Sequence, residues 1–313
     1  MIQEDLWKSF PGTATEFEAM FPDDEACRRY LIQVRWNGHP RCLKCDHDKV
    51  WELSNGRFEC RRCGHQTSVT AGTVLHKTRK PLRMWFRAIW EMGVRKNGIS
   101  AKELQRILGF GSYETAWTWM HKLRRCTRRA DRTPLDDEVE IDETFFGAPG
   151  RTRGRGTDKA LILVALERGG RARLEYSAGQ KKDDITDFIK RNISSSATII
   201  TDSFPSYSTK AVAPRTHIRF NLKKLNVKTE DPLQNCHRTA TLLKRWMLGT
   251  YHGGASRKHL PAYLDEYSFR FNRRKTRAVG RIAARLLEQI VSVGPISYNT
   301  IVRTPVAAQF GQA

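Results

Sequence analysis

No stretch of this sequence stays apolar over the roughly 20 residues that a bilayer-spanning helix needs. The longest apolar run, Ala160 to Leu166, covers seven. The opening Met-Ile-Gln-Glu-Asp lacks the basic segment and apolar stretch of a secretory signal, so none is expected. Acidic side chains are also in short supply. Asp and Glu number 33 against 55 Lys and Arg, giving a formal net charge of +22. Such a chain repels itself unless a polyanion is near, which makes nucleic acid the leading partner and a membrane surface the weaker one. Cysteine is scarce too, at seven in 313 residues. Three of them, Cys27, Cys126 and Cys236, form an odd remainder that suits a reducing cytoplasm better than a disulfide framework. No internal repeat or long low-complexity tract is visible.

The other four cysteines form the strongest local signal. Cys42-Leu-Lys-Cys45 and Cys60-Arg-Arg-Cys63 are two CxxC pairs separated by fourteen residues. Each pair can turn tightly enough to aim two thiolates at one ion, and together they complete a tetrahedral Cys₄ site for a structural Zn²⁺. Val50, Trp51 and Phe58 flank a turn at Asn55-Gly56, a strong hairpin dipeptide. A ribbon this small buries little, so the metal supplies most of its folding free energy, roughly 10–16 kcal/mol.

Around the ribbon the pattern is helical. Residues 14 to 34 read as a helix interrupted by Pro22, and Pro81 opens a helix through Trp85, Ala88, Ile89 and Met92. Ser100 to Leu108 and Tyr113 to Arg125 follow, with a capping-box pattern at Ser100 and Glu103 and a tight Gly109-Phe110-Gly111 turn between them. A second helix carrying His121, Lys122, Arg124 and Arg125 fits a helix-turn-helix, with Arg124 and Arg125 as DNA contacts; a plain helical hairpin fits as well. Trp117, Trp119 and Trp246 read as packing residues. Beyond a linker at 127 to 138, strands are expected at 139–142, 160–166, 171–176 and 197–201, with an amphipathic helix at 183–193. The fold class is therefore α/β.

Asp142 and Asp202 each end a predicted strand, where α/β sheets favour ligands. Two readings stand. Adjacent parallel strands would bring the carboxylates together, and their repulsion is relieved by a shared divalent cation. A pair of such ions roughly 3.5–4 Å apart clamps the attacking and leaving oxygens of a phosphodiester. Alternatively the aspartates cap the turns that follow, Asp202-Ser203-Phe204-Pro205 being one.

Several segments resemble the zinc-ribbon, ISXO-like group of bacterial insertion-sequence transposases. They are Val139-Glu-Ile-Asp142-Glu143-Thr-Phe-Phe-Gly147, Ile200-Thr-Asp202-Ser, Gly249-Thr-Tyr-His252 and the tail from Lys258 to Asn272-Arg273-Arg274. Phe21 to Cys27 and Arg35-Trp36 match the group's opening segment, so the resemblance runs from about residue 14 to about 274. It implies an RNase H-like catalytic domain with a DDE-type site for two Mg²⁺ or Mn²⁺, Asp142 being the first catalytic aspartate and Asp202 the second. Many relatives place Glu seven residues before a Lys, a spacing that returns nearly to the same helix face. The lysine matches Lys244, but His237 stands seven residues earlier. Some relatives use asparagine, and Asn235 is the nearest here. Histidine suits Mn²⁺ whereas Mg²⁺ prefers oxygen. The order of candidates is therefore His237, then Asn235, then a decayed site.

The resemblance implies a transposase that binds the terminal inverted repeats of its element on double-stranded DNA as a homodimer or larger assembly, cytoplasmic and nucleoid-associated. Lys244 is placed near the scissile phosphate, and Arg151, Arg153, Arg155, Arg270, Asn272, Arg273 and Arg274 on backbone phosphates. The expected domains are a helix and ribbon at 1–70, a helix-turn-helix region at 71–130, the catalytic domain at 135–290 and a tail at 291–313. A catalytically decayed zinc-ribbon DNA-binding protein and a metal-dependent nuclease without strand transfer are the rival classes.

Overall fold

The computed structural model describes residues 9–129, 131–147, 158–221 and 231–303. They form two compact units. One takes the chain up to Arg129 and then residues 276–303; the other takes the segment in between, to Lys275.

The first unit begins with α1 (Ala14–Met20) and α2 (Asp24–Trp36). The single interrupted helix expected over 14–34 is thus two helices. Pro22 cannot supply a helical N–H, and Asp23 caps the second helix by accepting the Ala26 N–H at 2.7 Å. The ribbon strands β1 (Val50–Glu52), β2 (Phe58–Cys60) and β3 (Gln66–Thr67) pair antiparallel in that order. Helices α3 (Leu82–Val94), α4 (Ala101–Leu108) and α5 (Tyr113–Arg125) follow. Ser100 caps α4 through the Glu103 N–H, and Gly109 ends it in the left-handed conformation at φ 63°. The Trp85 and Trp119 rings stack at 3.4 Å and join α3 to α5.

The chain later returns to this unit as α10 (Gly280–Ile290) and α11 (Tyr298–Arg303). Gly93 allows the return. A Cβ there would sit 2.8 Å from the Ala283 backbone, so α10 crosses α3 at a distance only glycine permits. Residues 280–290 therefore pack with the helical head, a correction to the expected 135–290 boundary.

The second unit is a five-stranded mixed sheet. Its strands are β4 (Glu138–Phe146), β5 (Ala160–Glu167), β6 (Ala172–Ser177), β7 (Thr198–Asp202) and β8 (Thr216–Phe220), arranged β6-β5-β4-β7-β8. The β4–β5 and β5–β6 pairs are antiparallel, and β7 and β8 run parallel to β4. This is the RNase H-like order. The helices are α6 (Lys182–Asn192), α7 (Thr209–Val212), α8 (Gln234–Tyr251) and α9 (Leu260–Phe271). On one face Ile162, Val164 and Leu166 pack with Leu243 and Met247 of α8 and Leu264 of α9. On the other, Val139, Ile141, Leu163 and Ala165 pack with Ile185, Phe188 and Ile189 of α6. Covered on both faces, β5 is buried along its whole length, which explains its unbroken apolar run. Among the described residues no helix is long and apolar enough to cross a membrane.

Candidate functional site

The cysteine quartet is assembled as its spacing predicts. All four sulfurs lie within 4.8 Å of one another, with Cys42–Cys63 and Cys45–Cys60 at 3.6 Å and Cys45–Cys63 at 3.5 Å. A tetrahedral ion with Zn–S near 2.3 Å sets its sulfurs about 3.8 Å apart, so the quartet fits zinc. The two knuckles repeat each other. Lys44 N–H and Arg62 N–H each point at the first sulfur of their pair at 3.4 Å. Asp46 and Gly64 each close the turn onto the carbonyl of Cys42 or Cys60 with positive φ, 54° and 65°. Glycine takes that conformation without strain. Asp46 takes it with Arg41 bonded to both its carbonyl and its carboxylate. Zinc held there is structural, since four thiolates leave no open position.

The second site is built on β4, β7 and α8. Residue pairs 138–198, 139–199 and 140–200 match across the parallel ladder, each sixty apart. The ladder ends two residues before Asp142 and Asp202, and the period of two puts both on the face covered by α8 and α9. His237 comes from the first turn of α8, with Nε2 at 3.2 Å from Asp142 Oδ2. Its other nitrogen, Nδ1, lies 2.6 Å from Oδ2 of Asp231, which fixes the ring. The hydrogen bond to Asp142 pushes the imidazole up to about 9 against the cost of partial burial, and Asp231 adds to the rise. The two carboxylates beside the ring favour positive charge between them, so the place attracts a cation. Lys244, two turns along α8, is half-buried. Burial and the charge of Lys159 lower its pKa, while Asp142 opposes the shift.

Asn235 is held by another carboxylate. Its Nδ2 donates to Glu140 at 2.6 Å. Asp202 uses Oδ1 to accept the Phe204 N–H at 3.0 Å, so the turn-capping role read from the sequence is present too. Among the described residues only the cysteines gather three or more ligand atoms within 4.8 Å; Asp142, Asp202 and His237 are spread more widely. Tyr207, wholly buried, lies close by. Burial, then the charges of Glu143 and Asp142, keep its phenol protonated well above the usual range.

The basic residues mostly land elsewhere than expected. Arg124 is 1% exposed, and Lys122 and Arg125 are half-buried, so the basic end of α5 turns inward. The exposed end is the amino-terminal one, where Tyr113 is 50% exposed, because Trp119, Met120 and Leu123 pull the rest into the core. Arg124 is therefore corrected from a DNA contact to a core residue. Arg270 bonds Glu266, which is fully buried, at 2.9 Å. Asn272 accepts from Ala172 N and donates to Ala172 O, as a neighbouring strand would. Arg273 and Arg274 lie 3.9 Å over Phe269 and Phe271, and bond the carbonyls of Phe269 and of Gly170 and Phe271. This Arg-rich segment ties the end of α9 to the sheet edge. Arg151, Arg153 and Arg155 lie outside the described residues.

Residues 134–272 match the ISXO2-like transposase domain, and residues 22–66 match the transposase zinc-ribbon domain. The sheet unit is thus an ISXO2-like transposase domain and the ribbon a transposase zinc ribbon. This transposase is also similar to a protein of the transposable element ISH50 from Halobacterium salinarum, 26% identical over 276 residues and covering 80% of this chain and 91% of that one. Among solved structures, the catalytic core domain of BIV integrase aligns with 42% of the transposase and 81% of its own chain, at 15% identity and a TM-score of 0.30. The domain match makes the sheet unit a polynucleotidyl transferase-type domain in general terms. Four residues of the site were given no role from the sequence: Glu140, Asp231, Glu143 and Tyr207. Glu140 shares the strand face of Asp142, and Glu143 stands beside it in the segment that carries the resemblance.

Proposed function

We propose that this transposase binds the terminal inverted repeats of its element and cuts and joins DNA at Asp142, Asp202 and His237. One observation carries the reading: Asp142 and Asp202 share a face of adjacent parallel strands, and one helix brings His237 to 3.2 Å from Asp142. The donor set, two carboxylates and an imidazole backed by Asp231, fits divalent cations and favours Mn²⁺ over Mg²⁺ more than three carboxylates would. Held there, two cations would stabilise charge on the attacking and leaving oxygens of a phosphodiester in line.

The protein's own groups do the rest. Asp231 holds His237 so that Nε2 faces Asp142. Lys244 presents a compact ammonium to the scissile phosphate, its charge partly desolvated and therefore more effective. The first cut frees a 3′-hydroxyl at the element's end, and that hydroxyl then attacks a target phosphodiester. No covalent protein intermediate is needed. Because both ends must be held at once, the active form is a homodimer or larger assembly on double-stranded DNA in the cytoplasm. The ribbon-bearing head contacts the ends, supported by the +22 charge.

The test is a strand-transfer assay with labelled end DNA and Mn²⁺ or Mg²⁺. Joined product supports the proposal. Nicking without joining would make the protein a nuclease, and shifted but intact DNA would make it a binder that has lost catalysis.

A further inference from the structure

Helix α8 has no cap of its own. Its N-cap residue is Leu233, which offers no side-chain acceptor, yet the first turn of any helix leaves N–H groups to be satisfied. The acceptor comes from another element. Glu140 of β4 takes the Cys236 N–H on Oε2 at 2.9 Å and the Asn235 Nδ2 on Oε1 at 2.6 Å. The buried Cys236 thiol closes the same contact by donating to the Glu140 carbonyl at 3.3 Å. A local Ser or Asp at position 233 would have satisfied the helix alone. A cap reaching from the strand does more, because it fixes where the helix begins relative to that strand.

The positions on either side of the contact are the informative part. Glu140 stands two residues before Asp142 and shares its face, while Cys236 immediately precedes His237. One carboxylate thus ties together the two elements that supply the site, next to the residue each contributes. Its negative charge at a helix N-terminus is favourable in itself. We infer that Glu140 is a positioning residue, whose two-armed clamp on Asn235 and Cys236 sets the approach of His237 to Asp142 and so governs metal affinity and rate. The effect on the reaction rests on the function proposed above; the clamp does not.

Full-length Glu140→Ala and Glu140→Gln proteins test this with three measurements. Gln keeps an oxygen for the Cys236 N–H, and its amide can donate to Asn235 once that amide turns, so it preserves the clamp without the charge. Alkylation of Cys236, followed by mass spectrometry of its peptide, needs neither metal nor DNA. Loss of the clamp opens the first turn of α8, so the rate is expected to rise about tenfold in Glu140→Ala and to stay near wild type in Glu140→Gln. Mn²⁺ affinity of the free protein is expected to fall about tenfold in Glu140→Ala and to recover in Glu140→Gln. Cleavage of end DNA at saturating Mn²⁺ is expected to fall about 10²-fold in Glu140→Ala with little change in KM for DNA, as for a site displaced by about 1 Å.

Unchanged protection of Cys236 in Glu140→Ala would overturn the clamp. Faster alkylation with unchanged Mn²⁺ affinity and cleavage would leave a helix cap with no part in the site, and equal damage in both variants would put the charge, not the bonds, in control. Either result overturns the positioning role. Should the wild-type protein neither bind Mn²⁺ nor cut, the proposed function falls while the alkylation result still decides the clamp. If Glu140→Ala does not fold, Asn235→Ala removes one arm only and is read by the same measurements, with effects of about fivefold.

Discussion

Asn272→Ala removes the two hydrogen bonds by which the end of α9 extends the sheet. Its Oδ1 accepts the Ala172 N–H at 2.7 Å, and its Nδ2 donates to the Ala172 carbonyl at 3.1 Å. Ala172 is fully buried, so neither backbone group regains water easily. Two bonds at about 1 kcal/mol each, with a further penalty of about 1 kcal/mol for stranding buried partners, give a loss of about 2–4 kcal/mol. For a unit of this size that lowers Tm by roughly 5–15 °C. The assay pairs urea and thermal unfolding with end-DNA affinity measured across a salt series. The unfolding midpoint should fall while DNA affinity of the folded protein stays at the wild-type value at every salt concentration. Asn272→Asp keeps the acceptor and loses the donor, and should fall between. The reasoning is refuted if Asn272→Ala unfolds within about 0.5 kcal/mol of wild type yet binds DNA more weakly throughout. That result would restore Asn272 to a phosphate contact.

Asp142→Ala and Asp202→Ala should each abolish cleavage in a gel assay and leave end binding largely intact; retained cutting in either would remove that residue from the site. His237→Glu should preserve or raise activity in Mg²⁺ relative to Mn²⁺, because oxygen ligands suit the harder ion, and a rate-against-metal titration checks it. Chelation of zinc, or Cys63→Ser, should unfold the ribbon, whose folding the metal sustains by roughly 10 kcal/mol. Circular dichroism and a DNA shift assay would show it while β4 to β8 stay protected from hydrogen exchange. Arg270→Ala leaves the Glu266 carboxylate buried without its guanidinium partner, at a cost of about 3–5 kcal/mol measured by urea unfolding.

What could be read from the sequence was what local spacing dictates. The CxxC pairs, the Ser100 cap, the apolar run of β5 and the strand-end position of Asp202 all depend on residues near one another in the chain, and each stands where expected. Asp142 does not end its strand, because β4 runs on to Phe146 in its ladder with β5. Contacts between distant segments were hidden. Glu140 caps a helix that begins more than ninety residues later, and nothing in the local pattern of either segment announces the partner. Strand β8 escaped because its residues are mostly exposed, so the alternation that marks a half-buried strand is weak. Charge was a poor guide to place. Arg124 is buried and Arg270 pairs with the buried Glu266, while the planar heads of Arg273 and Arg274 lie on aromatic rings and bond main-chain carbonyls.

The crossing of Gly93 and Ala283 has a practical consequence for dissecting this transposase. The sheet unit is spliced into the head as an insertion, with the head's last helices encoded after it. Stopping the chain near residue 129 would not liberate an intact head, because the α3 surface that α10 covers would be left open and prone to self-association. A faithful isolated head would keep residues 276–303 joined to residues 9–129. The same arrangement means that a sheet unit could be exchanged between relatives as a cassette with two seams, both of which would have to match.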